Sequence, residues 1–160
     1  MAKSKLKISE IAAGDWMLIN GRAVEIVAVS ELNGSVVYFE EDVEDMVEVS
    51  IDAVSPIPLT HSIMSKCEFV ADKTYGQYVT YRYNIFKEKD FERHDAKYNT
   101  VFSVAVDMKY EDDTVLEVSV NSHCKEGVFS SKGSKFGEPY SLHELQHAMR
   151  MCKIDKRFVL

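Results

Sequence analysis

From Trp16 onward, apolar and polar residues alternate in short runs separated by turn-forming pairs, a pattern that predicts strands more often than helices. Lys5 to Ile11 reads as a lead-in, Trp16 to Ile19 as an apolar strand, and Ala23 to Val29 as its returning partner. Between them Asn20-Gly21 is a strong two-residue hairpin signal. Asn33-Gly34 supplies a second turn before Val36 to Phe39. An acidic stretch from Glu40 to Asp45 follows, and then Val47, Val49 and Ile51 alternate with Glu48 and Ser50. Short hairpin-linked strands packed this closely predict a small open β-barrel of the Src-homology-three kind over residues 1–57.

Ser55-Pro56-Ile57-Pro58-Leu59 marks a boundary, because closely spaced prolines hold a segment extended and cannot continue a central strand. Thr60 then reads as the N-cap of a short helix, His61 to Lys66, with Ile63 and Met64 turned inward. Strands return afterwards. In Tyr78 to Phe86, Val79, Tyr81, Tyr83 and Ile85 share one face and Tyr78, Thr80, Arg82 and Asn84 the other. Phe102, Val104, Val106 and Met108 alternate with polar or small residues, as do Leu116, Val118 and Val120, with Glu111-Asp112-Asp113 as the hairpin link. Each pattern predicts a sheet with one packed and one polar face. Lys125 to Pro139, rich in Gly, Ser and Lys, reads as a mobile loop, and Ser141 to Cys152 as a final helix. The expected fold class is therefore α+β, with the barrel-like unit followed, over 58–160, by an antiparallel sheet packed with the C-terminal helix.

Composition narrows the function classes. With 46% hydrophobic and 28% charged residues in 160 positions, the chain has a globular composition. A net charge of −7 argues against nonspecific nucleic-acid binding, which draws its affinity from Lys and Arg on phosphates. Cys67, Cys124 and Cys152 show no paired spacing and read as buried thiols of a reducing cytosol. The basic start, Met-Ala-Lys-Ser-Lys-Leu-Lys, leads into no long apolar stretch, so neither a signal peptide nor a membrane span is expected and the default location is cytoplasmic.

His143-Glu144-Leu145-Gln146-His147 matches the H-E-x-x-H pattern, in which two histidines on one helix face bind zinc and the glutamate activates a water. Three points favour a structural reading. Ser141 and Glu144 stand in the capping-box relation, which gives Glu144 a sufficient local role. Leu142, Leu145, Met149 and Cys152 form the apolar stripe, which leaves His143 and His147 on a face expected to be exposed. A catalytic zinc also needs a third protein ligand, and Arg150 and Lys153 occupy the positions where the longer metzincin motif requires Gly and His. His123, Cys124 and Asp155 could serve only through tertiary proximity.

The acidic run Glu40, Glu41, Asp42, Glu44, Asp45 and Glu48 reads as a solvated hairpin tip or as a docking site for a basic partner. Tyr75, Tyr78, Tyr81 and Tyr83, near Arg82, Lys87 and Lys89, read as core-packing strand residues or as a base-stacking platform. The Gly127 to Gly137 loop fails as a phosphate loop, because Ser134 stands where Lys must follow. His94 beside Asp95 and His123 beside Cys124 read as surface or packed residues, and no nucleophile–base arrangement stands out.

Three segments resemble a family of uncharacterised small proteins carried by prophages, phages and mobile elements of gut bacteria. They are LKISEIAAGDWMLINGRAVEIVAV, VEVSIDAVSPIPLTHSIMSKCEF around Pro-Ile-Pro-Leu-Thr, and YSLHELQHAMRMCKI around a His-x-Leu-Gln helix. In that family the position matching His143 is often His, whereas those matching Glu144 and His147 vary. The resemblance thus implies that the full metal motif is particular to this chain. His61 and Ser62 depart from the family, which places acidic residues in that first helical turn. The leading expectation is a non-enzymatic accessory protein that contacts a protein partner and holds no cofactor. Two alternatives stay open: a zinc hydrolase using His143, His147 and Glu144, and a nucleic-acid binder using the tyrosine-bearing sheet.

Overall fold

The computed structural model describes residues 5–84, 101–122, 129–131, 140–152, 154 and 156–160. Two compact units emerge, Met1–Pro58 with Ser141–Gln146, and Leu59–Tyr140 with His147–Leu160. The architecture is α+β: two antiparallel sheets and one main helix among the described residues.

In the first unit β1 (Trp16–Ile19), β2 (Arg22–Ser30), β3 (Ser35–Glu40), β4 (Asp45–Ser50) and β5 (Val54–Pro56) form a sheet in the order β4-β3-β2-β1-β5. The β1–β2 turn is set locally. Asn20 (φ 52) and Gly21 (φ 77) both adopt left-handed backbone, which a two-residue turn between right-twisted strands requires and which Asn and Gly tolerate best. Period two then aims Met17 and Ile19 inward, where they join Ile26, Val36, Tyr38 and Val54 in one core. Full burial of each such aliphatic side chain contributes about 1.5–3 kcal/mol. Ile51 does not extend β4 as its alternation predicts. It opens a 3-10 turn, Ile51–Ala53, because the Ser50 hydroxyl accepts the Asp52 amide and bends the chain. Among the described residues no pairing joins β4 to β5.

The second unit contains α1 (His61–Lys66) and the sheet β10-β9-β8-β7-β6. Its strands are β6 (Val70–Tyr75), β7 (Tyr78–Asn84), β8 (Val101–Lys109), β9 (Val115–Ser122) and β10 (Phe129–Ser131). Thr60 caps α1 as its sequence predicts, its hydroxyl accepting the Ile63 amide at 3.1 Å, and Met64 is buried. β6 has no strong alternation and was not expected. It forms because Gly76 (φ 53) turns the chain back and pairs Tyr75 with Tyr78. Part of the expected loop from 125 to 139 is likewise a strand, since Phe129–Ser131 pairs with Val118 to Val120; residues 123–128 and 132–139 lie outside the described residues.

Two details of the β8–β9 pair depart from simple alternation. A register shift between Asp107 and Met108 sets Val115 opposite Met108, so Val115 is buried and Leu116 is 38% exposed. The polar face of the sheet is also partly covered: Ala105 and Thr80 are buried, and the Thr80 hydroxyl donates to Asp107 Oδ1 at 2.6 Å. A cross-strand hydrogen bond of this kind lets a polar side chain leave water without an unmet donor.

The last helix, α2 (Leu142–Met151), has its first turns in the first unit and the rest in the second. No helix among the described residues is long and apolar enough to cross a membrane.

Candidate functional site

The helix carrying the histidine motif begins at an isolated bridge between Pro58 and Ser141, where the Leu142 amide donates to the Ile57 carbonyl at 2.8 Å. That bond satisfies one of the amides every helix start leaves unpaired. Glu144 Oε2 accepts the Ser141 amide at 2.8 Å, the reciprocal arm of the expected capping box. The Ser141 hydroxyl donates to the same carboxylate oxygen at 2.9 Å. With its proton so directed, the Ser141 oxygen accepts from His143 Nδ1–H at 2.8 Å.

The expected exposure of this face is overturned. His143 is 1% exposed, and Ser141, Glu144 and Gln146 are also buried, while His147 is half-buried. Helical periodicity locates the apolar stripe correctly, since Leu142, Leu145 and Met149 are buried; it does not reveal that the polar side is covered as well. Gln146 explains part of that cover. Its Oε1 accepts the Trp16 amide and its Nε2 donates to the Gly14 carbonyl, each at 2.9 Å. Between those contacts lies Asp15, fully buried, whose Oδ2 accepts the Ala12 amide at 2.8 Å. Ser141 thus bonds both Glu144 and His143 in a buried polar cluster of the first unit. Among the described residues no group of three or more His, Cys, Asp or Glu side chains is placed to hold a metal ion. His94, His123, Cys124 and Asp155 lie outside the described residues.

The acidic hairpin has a different character. Arg22 pairs with Glu40 and, at 3.0 Å, with Asp42, while the Tyr38 hydroxyl donates to Glu40 at 3.1 Å. The hydrogen bond from Arg22 holds the Glu40 carboxyl below the usual carboxylate range. Glu40 and Asp42 thereby share one guanidinium, which offsets half of their charge. Glu41, Glu44 and Asp45 are exposed and have no basic partner among the described residues. Glu44, at φ 52, adopts a left-handed backbone that costs a non-glycine residue about 1–2 kcal/mol.

Near these carboxylates stand exposed apolar side chains that charge patterning alone does not reveal. Phe39 and Met46 are direct cross-strand partners and are 48% and 52% exposed. Val27, which follows buried Ile26 at a β-bulge and so points the opposite way, is 45% exposed. One large exposed apolar side chain thus stands on each of β2, β3 and β4, with Val43 exposed at the hairpin tip.

Two of the four tyrosines of the expected platform, Tyr81 and Tyr83, are occupied by packing. Tyr81 is buried, and its hydroxyl meets His61 Nδ1 at 2.9 Å. Tyr83 packs against Phe69 at 5.6 Å between ring centroids and lies under the Lys156 ammonium at 4.4 Å. Lys156 also pairs with Glu68 at 2.8 Å. Lys87 and Lys89 lie outside the described residues. No family model, no curated protein and no solved structure matches the chain.

Proposed function

We propose that this chain is a non-enzymatic interaction module, an accessory protein of the phage or mobile-element kind. It docks a basic protein partner on the outer face of β2, β3 and β4. The observation that carries this reading is the cross-strand pair Phe39 and Met46, half exposed beside the carboxylates of Glu41, Glu44 and Asp45 at the hairpin end, with Val27 half exposed further along the sheet at the bulge near Val37. An apolar centre containing an aromatic residue and a methionine, inside a charged rim, is the composition that protein interfaces favour. A nucleic acid would meet repulsion at this rim. We read the order β4-β3-β2-β1-β5 as a small open barrel of the Src-homology-three kind, a rigid scaffold for such a face.

The test compares the wild type with Phe39→Ser/Met46→Ser and with Glu41→Gln/Glu44→Gln in pull-downs from bacterial lysate, after thermal melts verify folding. The reading expects a basic protein retained by the wild type, lost in the first variant and weakened by salt or by the second. Retention indifferent to both variants, or a measured catalytic turnover, would overturn it.

A further inference from the structure

The geometry points to the mode of docking: the partner contributes a basic, extended segment that adds to the sheet as a strand along β4. This inference rests on the reading of the β2–β3–β4 face as a docking surface, and names the form its occupant takes.

β4 ends its sheet among the described residues. Its pairing with β3 runs unbroken from Ser35 opposite Ser50 to Glu40 opposite Asp45. Just beyond, the Ile51 amide donates to the Gly34 carbonyl at 3.0 Å, which makes that opposite pair a hydrogen-bonded one. Counting back by twos, Asp45, Val47 and Val49 bond to β3, while the main-chain groups of Met46, Glu48 and Ser50 face the free edge. The Met46 amide agrees with this parity, because it donates to its own residue's neighbour, Asp45 Oδ1, at 2.8 Å.

Charge selects the occupant. A second copy pairing through β4 would set Asp45 and Glu48 against the same carboxylates, which is the usual guard against edge-to-edge association. A basic strand reverses the sign of that term. Lys or Arg opposite Glu48 on one face and opposite Asp45 on the other gains where a second copy loses, and an apolar residue beside Met46 extends the row from Phe39. A basic group drawing Asp45 away also frees the Met46 amide for the added strand.

The probe is a short synthetic peptide with a Lys-Val-Val-Lys core, which sets Lys opposite Asp45 and Glu48 and Val beside Met46, titrated into the full chain at low salt and followed by fluorescence anisotropy. Two forms carry N-methyl groups on alternate amides of opposite parity. Strand addition expects one parity to weaken binding by about tenfold or more and the other to leave it nearly unchanged, since only alternate amides face β4. It also expects slower amide exchange at Glu48 and Ser50 on binding, and loss of binding in Glu48→Lys. Binding lost in Phe39→Ser but equal for both methylated peptides would overturn strand addition and leave the docking face standing. No binding of any peptide, or binding indifferent to Phe39→Ser and Glu48→Lys, would overturn both.

Discussion

Gln146 accepts the Trp16 amide at 2.9 Å across 130 positions of sequence, and the other end of the same side chain donates to the Gly14 carbonyl. The side-chain amide therefore serves the entry to β1 as a neighbouring strand would, offering one donor and one acceptor. Gln146→Ala removes both, and the buried polar groups it leaves behind should cost about 2–3 kcal/mol in urea unfolding. Gln146→Glu should be at least as damaging at neutral pH, because its carboxylate faces the Gly14 carbonyl. That burial raises the introduced carboxyl's pKa, so the variant should regain stability relative to wild type as pH falls through the carboxylate range.

Glu144 can be tested as a cap against its alternative as a base. Glu144→Gln keeps an oxygen that accepts the Ser141 amide and should lose less than about 1 kcal/mol, whereas Glu144→Ala should lose about 1–2 kcal/mol. His143→Ala empties a buried site and should cost about 2–4 kcal/mol, by analogy with other large-to-small core changes. Stoichiometric zinc in untagged protein, lost in His143→Ala and His147→Ala, would restore the hydrolase reading.

Asp113 supplies the acidic group that α1 lacks in its own first turn. Its Oδ1 accepts the His61 amide at 2.9 Å, and His61 Nε2 meets the Lys109 and Asp112 carbonyls at 2.9 and 3.0 Å. Asp113→Ala should destabilise the protein by about 1 kcal/mol, as loss of a helix cap does, while Asp113→Asn should retain much of that. Burial and then the Asp113 charge push the Tyr81 hydroxyl above the usual tyrosine range. Spectrophotometric titration should therefore find that hydroxyl ionising at lower pH in Asp113→Ala.

Acid should weaken both units through identifiable pairs. Glu40 is held below the usual carboxylate range by its hydrogen bond from Arg22, and Glu68 by its hydrogen bond from Lys156. A carboxyl lowered by folding adds stability above its unfolded pKa and loses it as pH falls through the depressed folded value. Urea midpoints from pH 7 to pH 3 should fall less steeply in Glu40→Gln and in Glu68→Gln than in the wild type.

Cys67 should be chemically quiet. Burial pushes its thiol up to about 11, so almost no thiolate is present at pH 8. With Cys124 and Cys152 replaced by serine, labelling by a thiol-selective reagent should be slow until denaturant is added. Rapid labelling of the folded protein would show that this part of the second unit opens readily.

Features governed by neighbours a few residues away were legible in the sequence. The Asn20-Gly21 turn, the Thr60 cap on α1 and the Glu144 arm of the capping box all follow from local backbone preference. The two sheets were legible only in outline, because β6 depends on Gly76 turning the chain back and β9 on a register shift that exchanges Leu116 for Val115.

Tertiary structure decided what became of the His143–His147 run. Periodicity placed its histidines on the polar face of α2, but exposure depends on what covers that face. The partners present there, Gly14 and Trp16 for Gln146, are about 130 positions away, and no local pattern encodes them. The candidate docking face also depended on pairing beyond immediate neighbours. The acidic residues of the hairpin could be read directly, whereas the pairing of Phe39 with Met46 and the outward turn of Val27 required strand register and a bulge. Sequence determined which residues bear charge or apolar surface; the fold decided which of them are paired, buried or exposed.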